Sequence, residues 1–374
     1  MSSDRNGVIR PGPLVDRRAF IGAAGLAGAL SFWPMFAAVS APLRYNLKPV
    51  ELAPGAWMLV GADEAITRAN GGAIANITIL DTSEGAVVID TGPSRRYGEE
   101  LNSLARQLTG KPVVRALLTH FHPDHVFGCQ SFGADTLAAP KGVIDGLKQS
   151  GEDFATAMYY LAGDWMRGTE LVLPQMIVES GHEDIGDRRL RYLVLEGHTD
   201  SDLAVFDERS GILIAGDLAF LNRAPTTPHA DLPAWHRSLA KLSELPISKL
   251  VPGHGPAETT PLALRQTEQW LRMLEERVGN AFERGLSMTE SMDDPLPAWT
   301  EKIALARYEY ERSVMHLFPK QGDKDPWRNT QNYALDKKTI ANAPLEDGAL
   351  RFDDPTAVAS AGAAHSSPAQ ADAA

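Results

Sequence analysis

Five of the ten histidines and two aspartates stand at spacings that could hold two metal ions side by side. The densest stretch is Thr119-His120-Phe121-His122-Pro123-Asp124-His125, which follows a mostly apolar run from Val113 to Leu118 that reads as a buried strand. Pro123 cannot continue that strand, so the cluster is expected on a loop at its C-terminal end. Gly197-His198-Thr199, Gly216-Asp217 and Pro252-Gly253-His254-Gly255 follow, each closing a short apolar run: Leu193 to Leu195, Ile212 to Ala215, and Leu250-Val251. A repeated strand with a ligand at its end places all seven residues along one edge of a sheet system.

A lone histidine at a strand end is ordinarily a hydrogen-bonded surface or core residue. Three imidazoles within six residues, joined by three further ligand types in order, need a stronger reason. Imidazole and carboxylate are usual ligands of zinc. Two divalent ions about 3.5–4 Å apart can share a bound water and make it a hydroxide nucleophile near neutral pH. A carbonyl polarised by one ion would also be stabilised as charge develops on its oxygen. The reaction class that follows is hydrolysis of an ester, thioester or lactone, with no serine or cysteine nucleophile required.

His120, His122, Asp124, His125, His198, Asp217 and His254 together resemble the metallo-β-lactamase-fold hydrolases, motif by motif, over roughly residues 49–261. The resemblance implies an αββα sandwich with metals in a cleft at one edge between the sheets. It implies two zinc ions, the first on His120, His122 and His198 and the second on Asp124, His125 and His254, with Asp217 between them. In that arrangement Asp217 would fix the metal separation, and Asp124 would hold the attacking water or deliver a proton. An aspartate at 217 is similar to the glyoxalase II and lactonase branches, and less similar to zinc β-lactamases that use a cysteine there. Three further stretches, Arg68 to Asn76, Asp90 to Ser94 and Gly163 to Glu170, resemble the quinoprotein relay system zinc metallohydrolases, a group related to hydrolases found with bacterial Sox sulfur oxidation. That resemblance implies export and an association with a quinoprotein dehydrogenase system.

Two other functions use the same residues. A mononuclear iron persulfide dioxygenase would need only His120, His198 and Asp217, a two-histidine-one-carboxylate set. A non-catalytic periplasmic accessory would carry metal and bind a redox partner, although complete ligand sets with an open water position argue against it.

The N-terminus points to the periplasm independently. Arg17-Arg18 precedes an apolar, Ala- and Gly-rich run from Ala19 to Ala38, the pattern of a twin-arginine signal. Gly22, Gly25, Gly28 and Pro34 interrupt the run, and Val39-Ser40-Ala41 offers a small-residue cleavage site, which favours removal over a retained anchor. The four arginines and two aspartates of residues 1–41 leave 32 basic and 46 acidic side chains beyond them, a net charge of −14. Such a surface repels nucleic acid and anionic membrane, so a small-molecule substrate is expected and neither of those partners is. The single cysteine, Cys129, cannot form an intrachain disulfide and reads as a buried thiol behind the metal loop.

The expected organisation is a signal over 1–41, a metallo-β-lactamase-like domain over 48–262, a helical extension over 263–342 and a disordered tail over 343–374. Ala75 to Leu80 and Ala86 to Asp90 flank a Thr-Ser-Glu-Gly turn, a hairpin signal. Tyr97, Leu101, Leu104 and Leu108 recur at helical spacing before Gly110. Asp231 caps a helix whose Leu232, Trp235, Leu239, Leu242 and Leu245 share one face. Helices are also expected over 265–284 and 299–317, covering part of the fold or forming a homodimer surface. The tail, rich in Ala, Ser, Gly, Pro and Asp, has too few large apolar residues to offset ordering entropy. Trp165, Met166, Arg167 and His229 are candidates for the cleft wall, and Asp200 and Asp202 for fixing the turn after His198 or orienting a ligand imidazole.

Overall fold

A computed structural model describes residues 43–324; the stretches expected to be a signal (1–41) and a disordered tail (343–374) lie outside the described residues. Thr82 closes a hairpin turn: its hydroxyl donates to the Gly85 carbonyl and accepts from the Gly85 amide. The chain thereby folds back, pairing β3 (Ile77–Asp81) antiparallel with β4 (Ala86–Ile89). With β1 (Pro49–Ala53), β2 (Ala56–Leu59), β5 (Val113–Leu117), β6 (Leu137–Ala139) and β7 (Met176–Ile177), these strands make a seven-stranded sheet in sequence order. It is antiparallel up to β4 and parallel from β4 onward, because helices carry the later crossovers.

The first crossover is helix α1 (Arg95–Thr109), started by the Ser94 hydroxyl accepting from the Tyr97 amide and stopped by Gly110 at φ 69°. After β5 comes a single helical turn, α2 (Pro123–Val126), with Pro123 at its start. The metal-ligand cluster is thus split between a loop and this turn, where a loop alone was expected. Helix α3 (Lys141–Ala162) completes the outer layer.

The second sheet runs β12-β11-β10-β9-β8, from β8 (Gly181–Ile185), β9 (Arg188–Leu195), β10 (Asp202–Asp207), β11 (Ile212–Phe220) and β12 (Lys249–His254). Between β11 and β12 lies α4 (Leu232–Ser243), whose Asp231 cap accepts from the Ala234 amide at 2.8 Å. Leu80, Val87, Leu117, Leu203, Val205 and Ile214 fill the space between the sheets. Each fully buried aliphatic side chain there contributes roughly 1.5–3 kcal/mol. Arg188, buried, ties the layers polarly: it donates to the carbonyls of Asp81 and Gly55 at 2.6 Å and pairs with buried Asp207.

Three helices follow: α5 (Leu262–Glu283), α6 (Met288–Asp293) and α7 (Ala306–Lys324). Their Trp270, Leu274, Tyr310 and Val314 share one core with Phe220 of β11 and Trp235 of α4, so the extension completes the outer face of the second sheet. The last helix begins seven residues later than the expected 299. The backbone of Ala304 is already engaged, donating to the Asn222 carbonyl and accepting from the Ala224 amide. The result is an αββα sandwich with a helical extension, and no described helix is long and apolar enough to cross a membrane.

Candidate metal centre

All seven ligand-type residues are buried and converge at one edge of the two sheets. They form two groups: His120, His122, His198 and Asp217, and Asp124, His125 and His254. His122 Nδ1 lies 2.8 Å from His198 Nε2, and Asp217 Oδ2 lies 3.3 Å from His198 Nε2 and 3.7 Å from His120 Nε2. In the second group His125 Nε2 is 3.5 Å and His254 Nε2 3.4 Å from Asp124 Oδ2. Asp217 faces both, since its Oδ1 is 3.3 Å from His125 Nε2 and its Oδ2 is 3.3 Å from His254 Nε2.

Asp217 was expected in the loop after an apolar strand, but it lies within β11. The pairing of β11 with β12 slips on both sides of Gly216, whose φ is 53°, and the irregularity turns the aspartate into the site. Gly253 makes room on the neighbouring strand, where a Cβ would fall 1.9 Å from Asp217 Oδ1.

The outward nitrogens of the rings decide which atoms face inward. His125 Nδ1 lies 2.8 Å from Asp90 Oδ2, and His120 Nδ1 3.0 Å from the Thr119 hydroxyl, which itself donates to Asp90. His254 Nδ1 lies 2.8 Å from the Ile74 carbonyl, and His122 Nε2 2.9 Å from His229 Nδ1. Each of these partners can accept, which assigns the proton to the outward nitrogen and leaves a lone pair on the inward one. His198 Nδ1 has no partner among the described residues. Asn76 anchors the His254 loop, its amide donating to the carbonyls of Pro252 and Gly255 at 2.8 and 2.7 Å.

His120 Nε2, His125 Nε2 and Asp217 Oδ1 are buried without hydrogen-bond partners. Such orphaned atoms are costly unless something satisfies them. Inward lone pairs and carboxylate oxygens share no proton to trade, whereas a divalent cation would satisfy them together. The donor set therefore fits metal ions. Burial holds His198 down to about 4, and burial with neighbouring imidazoles lowers His120 and His122, keeping these rings neutral and able to ligate. Burial also disfavours charge on His125, but Asp124, Asp90 and Asp217 outweigh it and hold that ring well above the usual imidazole range, favouring positive charge at its inward nitrogen, where a metal ion would have to displace a proton.

Asp124, Asp217, His122 and His254 border a cavity of about 260 Å³. Its far wall carries Arg223, Thr226 and His229 from the loop after β11, and Tyr308, Glu309 and Arg312 from α7. Of the cleft candidates read from sequence, only His229 lies on this wall. Trp165 instead packs at a tilt against Tyr45, Met166 is buried in the core, and exposed Arg167 pairs with Asp164. Asp202 fixes the turn after His198 by accepting from the Thr199 amide and hydroxyl at 3.0 and 2.9 Å. His236, paired with Glu268 and Glu275, and His182, paired with Glu208, stand apart from the ligand groups. Cys129 is buried with its sulfur 3.5 Å from the Thr91 hydroxyl. Asp90, which touches His125 directly and His120 through Thr119, stands out in the sequence only as a strand end and as part of a family-like stretch; Arg223, Glu309 and Arg312 carry no signal there.

Two sheets sandwiched by helices, with buried ligand groups at one edge, define a metallo-hydrolase fold. A family model, the metallo-beta-lactamase superfamily, matches residues 70–254, and the chain belongs to that superfamily of hydrolases. The chain is 26% identical over 205 residues to the acyl-coenzyme A thioesterase MBLAC2 of Homo sapiens, covering 48% of this chain and 72% of the relative. It is 20% identical over 283 residues to a linear primary-alkylsulfatase of Pseudomonas sp., covering 64% of this chain and 53% of that one. Among solved structures, the inverting sec-alkylsulfatase Pisa1 from Pseudomonas sp. superposes with a TM-score of 0.58 at 17% identity, over 73% of this chain and 50% of that one.

Proposed function

We propose that the protein is an exported binuclear zinc hydrolase that cleaves a small ester, thioester or lactone. The observation that carries this reading is the sharing of Asp217 between two buried ligand groups that open onto one cavity. Divalent ions in these groups would supply an activated water and polarise the scissile group. Asp217, whose Oδ2 lies near His198 and His254 and whose Oδ1 lies near His125, would set their separation and offset part of the positive charge. Asp124 borders the cavity and its Oδ2 lies between His125 and His254, so its carboxylate is placed to orient the attacking water or take its proton. The thioesterase relative supports the thioester arm, and the sulfatase relatives make sulfate esters a class to include in any screen. A single iron on His120, His198 and Asp217 would leave the converging atoms of Asp124, His125 and His254 without a role.

The test pairs metal content with turnover on a panel of thioesters, lactones, aryl esters and alkyl sulfates. Asp217→Asn keeps the size but removes a charge and a strong ligand oxygen, so turnover should fall by orders of magnitude with the fold intact. Retained activity with both metals bound would rule out the bridging role, and one metal per chain at saturation would rule out the binuclear site.

Arg17-Arg18 and the following apolar run support twin-arginine export, as a cleaved signal, to the periplasm, where a quinoprotein dehydrogenase system would be the neighbouring partner. Replacing both arginines by lysine should trap precursor in the cytoplasm; normal arrival of the variant outside would refute that route.

A further inference from the structure

The cavity wall opposite the ligand groups holds two guanidinium groups and one carboxylate. Arg312 sits 3.0 Å from Glu309 and also reaches the Thr226 hydroxyl at 3.2 Å, so its charge is compensated. Arg223 is 6% exposed, lines the cavity, and has no ion pair within 4.0 Å among the described residues. Its Nε is buried without a partner, and its Nη1 is directed at His254 Nδ1.

That last contact cannot persist in a loaded site. If His254 ligates through Nε2, its Nδ1 carries the proton that the Ile74 carbonyl accepts at 2.8 Å. Two donors then face each other, and Arg223 is left buried with only a longer-range attraction to Glu309, whose two oxygens both accept from Arg312. A guanidinium cannot shed its proton to relieve this. Removing one partner from a buried charge is among the costlier changes a structure can carry. The other charges facing the cavity do not supply the missing acceptor. Glu309 is engaged by Arg312, Asp124 and Asp217 are turned to the ligand groups, and His229 is neutral or cationic.

We propose that Arg223 is the specificity-determining residue of this site, receiving a singly charged oxyanion of the substrate through its planar fork. This rests on the hydrolase reading and narrows it. Arg223 lies one imidazole ring from the metal-facing atom of His254, so the oxyanion stands within a few bonds of the scissile bond. A carboxylate near the cleaved ester and the sulfate of a sulfate ester both present that chemistry.

The experiment compares full-length, metal-loaded protein with Arg223→Gln, Arg223→Lys and Arg312→Gln at equal metal content. The turnover pair is 3-acetoxybenzoate and its methyl ester, with 4-nitrophenyl sulfate as a third substrate. Benzoate and benzenesulfonate serve as non-reacting ligands in calorimetry. The ratio of kcat/KM for the charged ester over the neutral one should fall about tenfold or more in Arg223→Gln. Arg223→Lys should keep part of it, and Arg312→Gln should change it less. Benzoate or benzenesulfonate affinity should weaken by a similar factor in Arg223→Gln, and whichever ligand shows the larger change identifies carboxylate or sulfate as the source. An unchanged ratio and unchanged anion affinity in Arg223→Gln would overturn the proposal, as would a larger effect in Arg312→Gln. If the loaded protein turns over none of the three substrates, hydrolysis of these classes fails, while calorimetry still decides the role of Arg223.

Discussion

Replacing Asp90 by asparagine should weaken the two ligand groups unequally. Asp90 Oδ1 accepts from the Thr119 amide at 2.8 Å, while Oδ2 accepts from the Thr119 hydroxyl at 2.8 Å and from His125 Nδ1 at 2.8 Å. An amide has one acceptor oxygen, so it cannot serve both ends. With the oxygen on the Thr119 amide, the new NH₂ faces His125 Nδ1. The ring then accepts there and carries its proton on Nε2, the atom that must ligate. Losing a charge-assisted hydrogen bond behind a ligand costs about 1.5–3 kcal/mol, or roughly 10–100-fold in metal affinity. The fold should survive, because Asp90 has φ 66° and asparagine tolerates that region. His120 depends on Asp90 only through the Thr119 hydroxyl, which can rotate, so its group should lose about threefold or less. Competition with a metallochromic chelator, fitted to two sites, reads both affinities. Equal losses at the two sites, or none at either, would refute this account of how His125 is oriented.

The buried pair of Arg188 and Asp207 should matter for stability and little for chemistry. Arg188→Met leaves Asp207 charged without a cation, its remaining donors being the Ser210 hydroxyl and the Arg209 amide, at a cost of about 3–5 kcal/mol, and calorimetry should show Tm lower by roughly 10 °C. Arg188→Met with Asp207→Leu should recover much of that loss, and a double variant as unstable as the single one would argue against uncompensated charge as the cause. Burial pushes the Cys129 thiol up to about 12, so at pH 8 it stays protonated in the folded chain. Iodoacetamide should leave the native protein unmodified and alkylate it once denatured, as read by intact mass; rapid native labelling would contradict the buried position.

Ligand positions could be read from the sequence because each is coded locally. A histidine or aspartate that ends an apolar run is placed at a sheet edge by period and breaker alone, as at His120, His198 and His254. Two helix ends were legible for the same reason: Gly110 and Asp231 act on residues three or four places away. The irregularity that brings Asp217 inward was not, since it arises from a slipped register between β11 and β12 and from the bare Cα of Gly253. Nor was the start of the last helix, where the pairing of Ala304 with the backbone near Arg223 overrides helical spacing.

Arg223, Glu309 and Arg312 expose a deeper limit. An arginine in sequence is most often a solvated surface group, and nothing within a few residues of Arg223 marks it otherwise. Its meaning comes from burial, from His254 thirty-one residues on, and from a carboxylate on α7 that has already chosen another partner. The sheets, with the loop and helical turn after β5, supply the candidate ligands, and the loop after β11 together with α7 supplies most of the opposite wall. Chemistry and selectivity therefore rest on separable parts of the chain. On this reading, substitutions on α7 facing the cavity would change which molecule is accepted while the seven candidate ligand residues, held by β-strand ends and by Asp90, Thr119 and Asn76, stay where they are.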